Sequence, residues 1–222
     1  LYANSNIEDV APRFPGDNYV SFSPLAWITE QSLGLTAHLL YGFQVNFPEG
    51  PETVQNDIRE IAPSTLLFPS RIWEGLARTM QVRLNDSTRL NRALFALFLP
   101  VAYRLIDLED ANKTIPPHLR FLRLLGEYAV FKPLRDKIGM VRARDAITSG
   151  AALSPDVLRF FRAVGVELKS LYGSTEMQVV TMHYPGEVKL ATVGVPAPGV
   201  EIKIAENNEI RVRSRAVFAG YY

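Results

Sequence analysis

Hydrophobic and polar positions along the chain follow two rhythms that replace one another more than once. Three short apolar stretches, Tyr19-Val20-Ser21-Phe22, Gly42-Phe43-Gln44-Val45-Asn46-Phe47 and Thr65-Leu66-Leu67-Phe68-Pro69, end in turn residues and read as strands. Between them Ala26 to Leu40 and Glu52 to Ile61 carry helical spacing. Strand and helix in alternation predict an α/β sheet with parallel strands and crossover helices. From Arg71 to about Tyr128 the pattern is mostly helical, broken at Asn85-Asp86-Ser87 and at Ile115-Pro116-Pro117. Asp86 or Ser87 is expected to cap a helix whose Leu90, Leu94, Leu97 and Val101 form one stripe. Burial in the core is the plainer reading of that stripe; docking to a membrane or partner is the other.

The alternation then returns. Arg144-Asp145-Ala146-Ile147-Thr148 reads as a strand that ends in a small-residue loop, Ser149-Gly150-Ala151-Ala152. Ser154 suits an N-cap, Pro155 the first turn and Asp156 the positive end of the helix dipole. Val157, Phe160, Phe161 and Val164 supply that helix's buried face, Gly165 ends it, and Val166 to Leu171 alternates like a strand. Beyond about Val193 the apolar Val200, Ile202 and Ile204, and then Ile210 and Val212, alternate with charged residues on either side of Glu206-Asn207-Asn208. That is the pattern of an antiparallel hairpin with one buried face. The expected layout is an α/β part over 1–70, a mostly helical insertion over 71–140, a second α/β part over 141–192, and the start of a β-rich subdomain over 193–222.

Composition narrows the partners. At 47% hydrophobic content the 222 residues can bury a substantial core. The formal charge of +1 gives no global reason to expect nucleic acid, so an anionic ligand must be held locally. With no cysteine there is no disulfide, thiolate nucleophile or cysteine-ligated metal site. The start Leu1-Tyr2-Ala3-Asn4 and the end Gly220-Tyr221-Tyr222 both read as cuts in a longer chain. No leader is visible, and the longest apolar run, Ala93 to Tyr103, falls short of the roughly 20 residues a spanning helix needs. The expected location is cytoplasmic, or peripheral on a cytoplasmic membrane face. Basic residues from Arg120 to Arg144, set against only Glu127 and Asp136, fit either a solvated helix face or contact with lipid headgroups or coenzyme A phosphates. His38, His118 and His183 lack ligand spacing and are expected in structural or surface roles.

The densest candidate chemistry lies in Tyr172-Gly173-Ser174-Thr175-Glu176. Gly173 would let the backbone approach a ligand, and Ser174 and Thr175 can donate to a phosphate oxygen. Glu176 suits Mg²⁺, whose oxygen ligands are commonly shared between one or two carboxylates and substrate phosphates. Tyr172 offers a flat ring to a purine. Taken alone, the same five residues fit a turn with a helix cap equally well.

Their surroundings decide more. Tyr172 to Glu176 matches the Tyr-Gly-x-Thr-Glu signature of the AMP-forming acyl-CoA synthetase and luciferase superfamily, which the chain resembles over nearly its whole length. Upstream, Thr148-Ser149-Gly150-Ala151-Ala152 and Leu153-Ser154-Pro155-Asp156 resemble that family's small-residue loop and its Leu-Ser-Pro-Glu. Downstream stand Gly194-Val195-Pro196-Ala197-Pro198-Gly199, the hairpin, and Gly220-Tyr221-Tyr222, in the family's order. Pro24-Leu25-Ala26-Trp27, Val45-Asn46-Phe47-Pro48-Glu49, Phe68-Pro69-Ser70-Arg71-Ile72-Trp73-Glu74 and the helical insertion look most like the long-chain fatty acid–CoA ligase subgroup.

The resemblance implies an α/β fold, the sheet-and-helix layers of a large adenylating domain with a helical insertion and the start of a β-rich subdomain. It implies that Thr175 bonds the α-phosphate, that Glu176 ligates Mg²⁺ and that Tyr172 packs on adenine, with Gly173 and Ser174 in the same nucleotide loop. Ser149, Gly150 and Ala151 would wall the nucleotide from the acyl chain, with Ala151, Ala152 and Trp27 on the acyl side. Trp27 stands where many relatives carry histidine or an aromatic residue, so a gate and a buried core tryptophan are both open. The implied partners are a fatty acid, ATP and coenzyme A; the oligomeric state is left open. Other readings are an adenylating enzyme for a different carboxylic acid, or a non-catalytic nucleotide-binding module. The family's phosphate loop is expected upstream of Leu1, and its small C-terminal domain with the catalytic lysine beyond Tyr222. No aspartate follows Asp156 to hold a ribose. The isolated chain is therefore expected not to turn over.

Overall fold

Strand–helix alternation near the start of the chain folds into a parallel pair, β1 (Asn18–Val20) and β2 (Gln44–Asn46). The structure, a computed structural model, describes residues 10–222; the opening Leu1-Tyr2-Ala3-Asn4 lies outside them. Helix α1, residues 28–41, joins the pair and contains a π-helical stretch over Gln31–Thr36. The Tyr19 hydroxyl donates to the buried Glu30 carboxylate at 2.9 Å and so ties α1 to β1. Gly42, at φ 71°, closes α1 in the left-handed conformation that glycine reaches without strain. Helix α2 (Val54–Ile61) then leads to β3 (Thr65–Pro69).

Among the described residues the main sheet has five strands in sequence order: β3, β4 (Asp145–Ser149), β5 (Leu168–Ser174), β6 (Gln178–Met182) and β7 (Val195–Pro196). Strands β3, β4 and β5 run parallel, as the alternation predicts, with β4 and β5 joined by helix α6 (Pro155–Ala163). Strands β6 and β7, which the strand–helix alternation does not cover, pair antiparallel. For β6 the reason is length: only Thr175, Glu176 and Met177 separate β5 from β6, and a parallel return needs a crossover of about a dozen residues. Helix α6 begins and ends as its sequence indicates, with Asp156 N–H donating to the Ser154 hydroxyl and Gly165 turning at φ 87°.

Three helices lie between β3 and β4: α3 (Ser70–Asn85), α4 (Arg89–Asp110) and α5 (residues 117–136). The breaks fall where predicted, but the cap does not, because Thr88 rather than Asp86 or Ser87 accepts from Asn91 N–H. The predicted stripe is also corrected. Leu90 and Leu97 are 66% and 59% exposed, while Phe95, Phe98, Ala102, Leu105 and Ile106 face the core. Helix α4 is apolar around much of its circumference, so periodicity does not choose a face, and the side that buries two phenylalanines wins on area. Among the described residues no helix is long and apolar enough to cross a membrane. The basic run is partly structural: Arg135 is buried against Glu127 and the Val164 carbonyl, and Arg144 pairs with Asp17.

At the centre of the largest core cluster, Trp73 of α3 is 0% exposed, with its ring 5.2 Å from Phe68 and 5.0 Å from Phe161. Its indole N–H donates to the Ile147 carbonyl at 3.0 Å, so the core is bonded to β4 as well as packed on it. The C-terminal hairpin, β8 (Val200–Ile204) with β9 (Ile210–Ser214), is antiparallel as predicted. Its inner face is only half covered, since Val200, Ile202 and Val212 are partly buried while Ile204 and Ile210 are exposed.

Candidate functional site

Strands β4 and β5 end side by side, and the chain after each turns toward the start of α1. A cavity of about 310 Å³ opens there, lined by Ala26, Trp27, Ile28 and Thr29, by Ser149 and Gly150, by Leu171, Gly173, Ser174 and Thr175, and by Gln178. Its place at the carboxyl ends of parallel strands is where open α/β sheets hold ligands. Gly150 sits at φ 83° with open space where a Cβ would stand, so its backbone conformation calls for glycine. A smaller space of about 50 Å³ shares Ile28, Thr29, Ser149, Leu171 and Gln178 with the first and continues inward past Leu33, Leu67, Ile147 and Val179, with Arg13 also on its wall. A polar mouth thus leads to a mostly apolar interior between α1 and the sheet.

Of the sequence candidates, the fold brings Trp27, Ser149, Gly150, Gly173, Ser174 and Thr175 to one cavity. Trp27 is 52% exposed and lines it, which removes the reading as a core tryptophan. Ala151, Ala152 and Tyr172 are exposed and outside the lining. Gly173 is needed for a different reason from the one its motif suggests. A Cβ on it would stand 1.7 Å from the Gln178 carbonyl, so the close approach of β6 across the turn already requires glycine here.

Glu176 lies outside the cavity wall, held from three sides. The Ser174 hydroxyl and then the Tyr221 hydroxyl, at 2.7 Å, lower the pKa of its carboxyl, and its carbonyl accepts from Phe218 N–H at 2.8 Å. The Phe218 and Tyr221 rings meet edge to face at 4.7 Å, so the end of the chain is folded over the motif turn. Sequence reasoning missed this contact, and it missed Ile28, Thr29, Leu171 and Gln178 in the cavity. Gln178 adopts φ 65°, a left-handed conformation uncommon outside glycine, and nothing in its sequence context announces it.

His183 supports the same corner from beneath. It is buried, its Nδ1 accepts from Ser170 N–H at 3.0 Å, and its Nε2 lies 3.0 Å from the Thr192 hydroxyl. A proton on Nδ1 would break the Ser170 bond, and burial lowers the pKa below its ordinary value of 6.5. The unfolded chain therefore takes up this proton first, so stability is full above about pH 6.5 and declines as pH falls through that value. The denaturant midpoint is expected to fall between about pH 7 and about pH 5.5, and to fall less in His183→Gln. Equal slopes in the two proteins would remove His183 as the cause.

The strand-end cavity, its small-residue loop and the Tyr172–Glu176 turn lie together at one end of an α/β sheet. The chain belongs to the AMP-binding enzyme family, whose model matches residues 1–222. It is 26% identical to the fatty-acid–CoA ligase fadD11 of Mycobacterium tuberculosis over 100% of this chain and 39% of that protein. It is 26% identical to the long-chain-fatty-acid–CoA ligase FadD15 of Mycobacterium bovis over 93% of this chain and 34% of the relative. Among solved structures it resembles a malonyl-CoA ligase ternary product complex with methylmalonyl-CoA and AMP bound, at a TM-score of 0.63 and 20% identity over 99% of this chain and 39% of that one. The chain thus spans about two fifths of the length of the first of these relatives.

Proposed function

We propose that this chain is the substrate-gripping part of a long-chain fatty acid–CoA ligase. The observation that carries the reading is the convergence of Ser149-Gly150 with Ser174-Thr175 on a cavity bordered by Trp27, beside a smaller, mostly apolar space that shares Ile28, Ser149 and Leu171 with it. The two relatives named as fatty-acid–CoA ligases support the choice of acid. In the proposed reaction a fatty carboxylate oxygen attacks the α-phosphorus of ATP and the bond to pyrophosphate breaks. The thiol of coenzyme A then attacks the acyl carbonyl, AMP leaves and the thiol proton is released. Thr175 and Ser174 would donate to phosphate oxygens, and Trp27 would border the acyl path. Positioning and charge neutralisation carry the first half, because both reactants are anions.

Glu176 is the carboxylate that fits Mg²⁺ here. It is partly buried and held by two hydroxyls, and no cluster of three or more metal-ligating acidic, histidine or cysteine side chains occurs among the described residues. One protein carboxylate with substrate phosphates completing the shell is a usual Mg²⁺ arrangement. The ion would supply charge neutralisation at the phosphates.

Arg13 on the wall of the inner space favours a second reading, a short acid with a second carboxylate. ATP–pyrophosphate exchange by the enzyme containing this chain, run over a fatty-acid series and with malonate, separates the two. Exchange greatest with long chains, and reduced about a hundredfold by Thr175→Ala, is the expected outcome. Exchange with malonate alone would establish the short-diacid reading. ATP binding without exchange would leave a nucleotide-binding module.

A further inference from the structure

The opposite face of the main sheet holds a second cavity that the proposed reaction does not use. Successive residues of a strand point to opposite faces, and β3 shows it: Leu67 lines the small space beside the strand-end cavity, while Phe68 lines a separate cavity of about 360 Å³. Its floor is buried and apolar, with Ile58, Phe68, Leu76, Ile138 and Met140 in its lining. Its charged lining residues are Arg59, Arg83 and Lys137, all exposed, and no carboxylate joins them. Among the described residues none of these three cations forms an ion pair with a carboxylate. The Arg83 guanidinium instead donates to the Lys137 carbonyl at 3.0 Å, tying α3 to the end of α5. A smaller apolar space of about 90 Å³ lies alongside and shares Arg83, Lys137 and Ile138.

The geometry points to a binding site for a long aliphatic chain with an anionic head, of which a fatty-acid anion is the simplest member. The volume lies within the roughly 300–1,000 Å³ of small-molecule sites, which are mostly apolar with a few placed polar groups. The apolar floor accepts the chain, and the three cations at the exposed margin complement the head. In a protein whose net charge is only +1, three cations without a carboxylate among them are a local feature. Gly75 of α3 lies on the wall with nothing within 4 Å of a Cβ built on it, so the space extends to the helix backbone itself. The site stands whether or not the proposed reaction is correct, because it shares no lining residue with the Trp27 cavity.

The test is saturable binding of palmitate to the protein, followed by mapping of cross-links from a photoreactive palmitate. Adducts are expected on α2 and on α3 between Ile72 and Arg83. Gly75→Leu, whose Cβ meets nothing within 4 Å and whose side chain starts on the cavity wall, is expected to weaken binding at this site about tenfold. Arg59→Gln with Lys137→Gln is expected to weaken it by a similar factor and to remove its salt dependence. Hexadecanol, lacking the charge, should compete poorly. Cross-links confined to the neighbourhood of Trp27, equal competition by hexadecanol, or no saturable binding by folded protein would each overturn the site. If Gly75→Leu does not fold, the cross-link map of the unaltered protein decides.

Discussion

Trp73→Ala is expected to destabilise the protein by about 3–5 kcal/mol, the range for truncating a large aromatic side chain in a packed core. The tryptophan is fully buried between Phe68 of β3 and Phe161 of α6, so its removal opens a cavity bounded by two elements that cannot both move in. It also removes the N–H that reaches the Ile147 carbonyl. Trp73→Phe should cost less, because it keeps much of the apolar contact and loses chiefly the hydrogen bond and the remaining volume. Urea unfolding at constant m measures both. A cost below about 1 kcal/mol for the alanine variant would mean that the surrounding core collapses onto the site, contrary to the packing described.

Those contacts also show why the sequence spoke clearly about some parts of the fold. Strand β3, helix α6 with its Ser154 cap and Gly165 stop, and the β8–β9 hairpin are written in local signals: turn residues, caps and period-two alternation. Such signals need no knowledge of partners. The face chosen by α4 does need it. Both its Leu90–Leu97 side and its Phe95–Phe98 side are apolar, and only the helices and strands that meet it decide which is covered.

The same division runs through the site. Ser149, Gly150, Ser174 and Thr175 were legible because short motifs fix their residue types, and the sheet then brings them to one cavity. Gln178 and Leu171 were not, because their place follows from the antiparallel return of β6, which the motif turn forces and the alternation rule does not foresee. Tyr221 is farther still from local reading. It reaches Glu176 only because the end of the chain folds back over the turn.

Lys169 carries the second large effect. It is buried and paired with the buried Asp145 on the adjacent strand. A central parallel strand is covered on both faces, so its charged residues have no solvent side to take. Lys169→Met is expected to cost about 3–5 kcal/mol, as is Asp145→Leu, because each leaves its partner as an uncompensated buried charge. The double substitution should recover most of that loss, since removing both charges removes the desolvation penalty with them. If each single change cost under about 1 kcal/mol, the pair would be solvated rather than buried. The consequence reaches the site. Strands β4 and β5, which these two residues join, end in Ser149 and Ser174, the opposing walls of the cavity. At temperatures where the single variants remain folded, the proposed ATP binding should therefore weaken in both and return in the double variant. Binding that follows the singles but not the double would show that the charges act on the ligand directly instead of through the alignment of the strands.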